Sequence, residues 1–337
     1  MKKLLYVALI LIVSCTNQTK EECQFPELTG PYLGQELPGD TAKLFASGIV
    51  SSGMPDRDVA IYPDGSEIYF SRNIGGFKFA TLFFSKLENG KWTKPMVAPF
   101  ATNPKFKFIE PHISPDGTKF YFASDMPADG DDPGDMEIWV ADREGDSWGK
   151  PYNIGAPINT ITDQYFPSVT HDGTIYYTSE DTLTNEEFIY RSKLVDGVYQ
   201  KPEKLPKNVN IGRARFNAFV SPNEDYIIVP CFGMPDTYGA TDYYIVFRNE
   251  NDNWSQPINM GEKINSTNGQ EWSASLSPDG KYIFFMSAKS PKNTELANEF
   301  STKSFYELNN KAQNGYSDIY WVKADFIDEL RNQAIFE

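Results

Sequence analysis

Five times along this chain a tight turn is followed within three residues by an aliphatic and aromatic run, and this recurrence limits the fold more than any other feature. The turns are Tyr62-Pro63-Asp64-Gly65, Ser114-Pro115-Asp116-Gly117, Thr170-His171-Asp172-Gly173, Ser221-Pro222-Asn223-Glu224 and Ser277-Pro278-Asp279-Gly280. Their Asp or Asn positions are 52, 56, 51 and 56 residues apart. An aliphatic residue stands three before each (Ile61, Ile113, Val169, Val220, Leu276), and runs such as Ile68-Tyr69-Phe70 and Ile283-Phe284-Phe285 follow. Two strands meeting at Asp-Gly form a hairpin, because Gly accepts positive φ and the Asp side chain bonds its own turn.

A third strand follows in every unit: Thr81 to Lys86, Glu137 to Ala141, Phe188 to Ser192, Tyr243 to Phe247 and Asp318 to Lys323. Four units then close with an aromatic residue three before a proline: Trp92/Pro95, Trp148/Pro151, Tyr199/Pro202 and Trp254/Pro257. A four-stranded unit of about 50 residues has the size of a propeller blade. The fifth unit lacks the closing signal, but Lys43-Leu44-Phe45-Ala46, ahead of the first unit, resembles the segments after the other prolines. The expectation is an all-β chain: one β-propeller of four-stranded blades, five in number, with an N-terminal strand closing the last. A sixth blade is the alternative, and would need strands from upstream of Lys43.

The repeated Ser-Pro-Asp-Gly turn with its aliphatic-aromatic strand resembles the repeats of TolB-like, WD-repeat-like β-propellers over about residues 40 to 325. Familiar members of that group have six blades, and units three and four depart from the pattern at His171 and at Asn223-Glu224. The group includes translocation accessories and peptidase propellers, so the resemblance implies a fold and leaves function open.

The first residues read as an address. Lys2 and Lys3 precede ten apolar residues, Leu4 to Val13, too few to span a bilayer. Ile12-Val13-Ser14-Cys15 resembles the bacterial lipobox, which implies a diacylated Cys15 as the mature N-terminus. With the Lys20-Glu21-Glu22 run, this resembles the outer-membrane lipoproteins of Bacteroidota, facing the periplasm or the cell surface. The domain reading is a signal peptide at 1–14, a lipidated tether at 15–39, the propeller at 40–326 and a C-terminal tail at 327–337. The membrane is reached through the lipid alone.

Chemistry is less legible. A formal charge of −15 repels phosphate backbones, so nucleic acid is not an expected partner. Three Cys and two His give poor support to a disulfide scaffold or a Cys/His zinc site. Cys23 and Cys231 are a conceivable pair in an oxidising envelope, against the simpler reading of Cys231 as a small buried residue. No phosphate loop, Gly-x-Ser-x-Gly elbow or His-Glu-x-x-His motif occurs.

Six residues before each turn, on the innermost strand, stand Asp58, Glu110, Phe166, Asn217 and Ser273, with Arg57, Gln164, Arg215, Glu271 and Trp272 nearby. Inner strands surround a propeller's channel, so these groups converge on one mouth. The ligand-binding set read here is Arg57, Asp58, Glu110, Gln164, Arg215, Asn217, Glu271 and Trp272. The competing reading is that they satisfy loop backbone and one another. Asp58, Glu110 and Glu271 would be the carboxyls of a glycosidase or lyase. Glu110 and His112, two apart on a strand, would share a face, although a satisfied, partly buried His112 is the plainer reading. Asp129, Asp131, Asp135 and Glu137 offer oxygens for Ca²⁺ without EF-hand spacing; no other cofactor is expected. The interruption from Lys289 to Tyr316, with helical stretches at Thr294 to Phe300 and Phe305 to Lys311, is a second surface for a partner.

Three functions are compatible with this pattern. The first is a non-catalytic, lipid-anchored envelope propeller that binds a protein or glycan at the mouth and the blade-five insertion. The second is a polysaccharide-acting enzyme, and the third a structural component assembling with other envelope proteins.

Overall fold

The computed structural model describes residues 25–267, 269–291 and 299–336. Cys15, Cys23 and the segment read as a signal peptide lie outside the described residues, as does most of the helical stretch expected at 294–300. The sheets are antiparallel and form a five-bladed propeller. Blade 1 runs Asp56–Ile61, Glu67–Ile74, Phe79–Glu88 and Met96–Val97; blade 2 runs Phe108–Ile113, Lys119–Ser124, Glu137–Glu144 and Tyr152–Asn153. Blade 3 is Gln164–Val169, Ile175–Asp181, Glu186–Ser192 and Glu203–Lys204. Blade 4 is Ala214–Arg215 with Phe219–Val220, then Tyr226–Phe232, Thr241–Phe247 and Ile258–Asn259.

Blade 5 is made from both ends of the chain. Glu271–Leu276, Tyr282–Ala288 and Ser317–Lys323 are joined by Lys43–Leu44, which pairs Lys43 with Trp321 and Leu44 with Tyr320. Phe45 follows that strand into the core, fully buried at 5.0 Å from the Phe284 ring and 5.2 Å from Trp321. The ring therefore closes as the N-terminal repeat fragment implies.

Other boundaries differ from the sequence expectation. The aromatic before each proline does not begin the outermost strand. Trp92 and Trp148 stand on short hairpins returning from the third strand, and the outermost strand starts just after the proline. Part of the segment read as a tether is docked: Trp92 N–H donates to Leu28 O, the Trp92 indole to Gly30 O, and Leu33 is fully buried. The C-terminal tail is docked as well. A helix at Phe326–Arg331 buries Phe326 and Ile327, and Arg331 pairs with Asp225 at 2.6 Å. In the insertion the helix spans Thr302–Asn309, capped by Ser301 accepting from the Ser304 N–H.

One irregularity repeats in every blade: the register between first and second strands shifts by one residue partway along. In four blades the residue at the shift, Asp58, Glu110, Phe166 or Asn217, has φ between 46° and 58°. A non-glycine residue at such φ is strained, by about 1 kcal/mol or more, and persists only where its surroundings compensate. These bulges reset which side chains face the channel.

Closure through Lys43–Leu44 predicts that Phe45→Ala lowers stability by about 3–5 kcal/mol. Urea unfolding followed by tryptophan fluorescence measures this. A loss under about 1 kcal/mol would mean the strand contributes little to closing the ring.

Candidate functional site

The backbone N–H of each bulge residue needs an acceptor, and in four blades a side chain reached across a blade seam provides it. Glu110 N–H donates to Ser71 Oγ at 3.0 Å, Asn217 to Thr178 Oγ1 at 3.1 Å, and Ser273 to the Tyr243 hydroxyl at 3.1 Å. Ser71 and Thr178 occupy the same repeat position, two after the tyrosine of the second strand. In blade 2 that position is Ala123, which offers no oxygen. Phe166 N–H instead donates to Glu110 Oε2 at 2.8 Å.

The other oxygen of Glu110 is also engaged. Arg57 Nη2 donates to Glu110 Oε1 at 2.9 Å, and Arg57 Nε to Asp58 Oδ2 at 2.7 Å, with all three side chains nearly inaccessible. The guanidinium also lies 5.3 Å from the Phe77 ring centre. Burial pushes the Glu110 carboxyl up to about 7, against the pull of Arg57.

The channel is thus closed by an ion-paired cluster. Towards the Asp-Gly turns it leaves a cavity of about 60 Å³ touched by Asp58, His112 and Phe166. At the opposite end lies a basin of about 530 Å³. Its walls carry Tyr165, Phe216, Phe232 and Trp272, with Arg57, Glu110, Asn217, Thr241 and Gln270 supplying polar groups. Phe232 is 44% exposed. Such a bowl suits a ligand with apolar faces and hydrogen-bonding edges.

Of the eight residues read as ligand-binding, Arg57, Glu110, Asn217 and Trp272 line this basin. Asp58 faces the far side of the ion pair. Gln164 is fully buried and holds its own loop, donating to Thr160 and Ser179 and accepting from Thr160 N–H. Arg215 is buried at the seam of blades 3 and 4, donating to the carbonyls of Ile211, Gly212 and Glu187 beside the Phe188 ring. Glu271 is fully buried; its Oε1 accepts from Ser266 and Ser287, each at 2.9 Å. Its Oε2 has no partner among the described residues, and burial pushes the carboxyl up to about 7.

The bulge separates Glu110 from His112, which line different cavities instead of sharing a face. His112 Nε2 accepts from Val169 N–H at 2.9 Å, and burial pushes its pKa down to about 4. The four acidic residues read as Ca²⁺ ligands are not brought together: Glu137 accepts from Asn153, the Asp131 carbonyl from Lys105, and no group of three or more His, Cys, Asp or Glu able to hold a metal occurs among the described residues. Cys231 is buried, with its thiol pushed up to about 12 by burial.

Tyr165, Phe216, Phe232 and Gln270 belong to the basin and were not singled out by sequence. A signal existed. Arg57, Tyr165, Phe216 and Trp272 all stand seven residues before the turn Asp or Asn, one earlier than the position that the inner-strand reading selected.

Among solved structures, the chain is similar to TolB from Acinetobacter baumannii, at 16% identity and a TM-score of 0.47 over 80% of this chain and 57% of that one. It is similar to a TolB from Agrobacterium tumefaciens described as putative, at 14% identity and a TM-score of 0.47 over 80% and 90%. It is also similar to the Hadza microbial sialidase Hz136, at 10% identity and a TM-score of 0.44 over 79% and 51%. The chain spans little more than half the length of the Acinetobacter protein. At this level of similarity none of these bears on what the chain binds or cleaves. No family model matches, and no curated protein does.

The raised Glu271 sets a pH dependence. Its pKa rises from 4.5 in the unfolded chain to about 7 in the fold, so the unfolded chain releases the proton first. Stability from this group is full below about pH 4.5 and falls as pH rises towards 7, then levels off. Glu271→Gln should flatten that fall in urea midpoints between pH 4.5 and 7.5. An unchanged slope would mean the carboxyl ionises normally.

Proposed function

We propose that this chain is a non-catalytic binding propeller of the bacterial envelope, taking a protein or glycan partner in the aromatic basin at the channel mouth. The observation that carries this reading is the engagement of both Glu110 oxygens, one by Arg57 and one by Phe166 N–H. A glycosidase needs two carboxyls free to approach the scissile bond from set positions. Here Asp58 and Glu110 share one buried guanidinium, and Glu271 is not among the residues lining the basin. The aromatic rim then provides the contact area, and the polar floor the orientation.

The lipobox-like Cys15 supports anchoring of the propeller at the outer membrane by a lipidated N-terminus, facing the periplasm or the cell surface. The blade-five insertion adds a second contact surface. Phe300, Phe305 and Tyr306 are each more than half exposed there, with the Phe300 and Phe305 rings 5.6 Å apart, and such an apolar patch suits contact with a partner.

A second reading, an enzyme acting on polysaccharide through Asp58, Glu110 and Glu271, draws on the carboxyls of Glu110 and Glu271 being pushed up to about 7, where a general acid works. One experiment separates the two. Immobilised protein is offered a defined oligosaccharide array and an envelope extract, and the same oligosaccharides are assayed for cleavage. The binding reading predicts a retained ligand that Phe232→Ala or Trp272→Ala weakens at least tenfold, with no cleavage. Turnover abolished by Glu110→Gln would establish the enzyme instead.

A further inference from the structure

At the turn face of the propeller, opposite the basin, one seam between blades is open. Three other seams are plugged by a tryptophan. Trp148 of blade 2 lies between blades 1 and 2, donating its indole N–H to the Tyr69 hydroxyl at 2.9 Å. Above it, the Arg143 guanidinium sits 4.8 Å from the Trp148 ring and 4.3 Å from Tyr62, and pairs with Glu67 at 2.7 Å. Trp254 packs on Tyr176 between blades 3 and 4, and Trp92 is buried against blade 5.

Between blades 2 and 3 every member of that stack except Tyr69 is replaced. Ser114 stands where Tyr62 does, Lys119 where Glu67 does, Leu194 where Arg143 does, and Tyr199 where Trp148 does. The smaller ring and the lost guanidinium leave a cleft of about 430 Å³, with an apolar floor that includes Val140, Ile154 and Val169. Tyr121 occupies the place of Tyr69, but its hydroxyl meets Tyr199 only at 3.4 Å, a marginal hydrogen bond. At the edge Lys119 donates to the Tyr152 hydroxyl at 3.3 Å, and both side chains also meet Asp142.

We propose that this cleft is a socket for an aromatic side chain, foremost tryptophan, presented by a partner polypeptide. The same frame one seam away fills this space with the Tyr62 ring, the Arg143 guanidinium and an indole, larger than the Tyr199 ring, whose N–H bonds the equivalent tyrosine. In the cleft the Tyr121 hydroxyl accepts the incoming N–H, and Lys119 and Tyr152 meet the peptide carbonyls beside it. The site is independent of the mouth basin and stands whether or not that basin binds the partner proposed for it.

The test uses N-acetyltryptophanamide as the probe, with methyl glucoside as the competing chemistry, titrated into the folded chain and followed by NMR. The expected result is saturable binding of the tryptophan probe that Tyr199→Trp, which fills the cleft from within, weakens at least tenfold. Leu183→Ala, on an exposed loop that lines neither the cleft nor the basin, should leave that binding unchanged. Tyr152→Ala, on the exposed rim, provides a second variant and should weaken binding three- to tenfold. The proposal is overturned if Tyr199→Trp and Tyr152→Ala leave binding intact, if the glucoside alone binds in the cleft, or if neither probe binds.

Discussion

The hydrogen bond that four of the five inner strands make across a blade seam is the constraint on which the rest of this structure turns. A bulge places one residue of the inner strand at positive φ or its neighbourhood and strands its N–H away from the sheet ladder. A buried N–H without an acceptor costs about 1–3 kcal/mol. Ser71, Thr178, Tyr243 and Glu110 each supply that acceptor from the preceding blade. Blade-to-blade packing and channel geometry are thus set by one recurring backbone requirement, met by different side chains.

This requirement explains the character of the mouth. Where the repeat provides a hydroxyl, the seam needs nothing further; where Ala123 stands, Glu110 is drawn in, and burying its charge requires Arg57, which in turn holds Asp58. The polar residues that look like a reactive constellation in the sequence are largely the compensation for one missing hydroxyl. What remains for a partner is the rim: Tyr165, Phe216, Phe232 and Trp272. The seam between blades 2 and 3, where the tryptophan plug has become Tyr199, is a separate opening on the other face.

The fold was legible because the chain states it five times. The turn residues, the aliphatic before them and the run after them define each hairpin, and the fragment at Lys43 accounts for the blade left incomplete. The site was half legible. Residues near the start of each inner strand do gather at the mouth, but a one-residue bulge exchanges which of them face it, and alternation along a regular strand gives no warning of that. Gln164 and Arg215 lie away from the basin, and a buried polar side chain bonded to nearby loops has the same spelling as one serving a ligand. The docked stretch from Leu28 to Leu33 has the polar composition of a tether, while its anchoring depends on Trp92 and the blade-five aromatics.

The direct test of this account is to give blade 2 the hydroxyl it lacks. Glu110→Ala removes the acceptor for Phe166 N–H, and adding Ala123→Ser to that variant restores an oxygen at the position that Ser71 and Thr178 occupy in their own blades. The account predicts that the double variant regains about 1 kcal/mol of the stability lost by Glu110→Ala, measured by urea unfolding. If Ala123→Ser brings no recovery, Glu110 does not serve the seam, and its carboxyl belongs to the chemistry of the mouth.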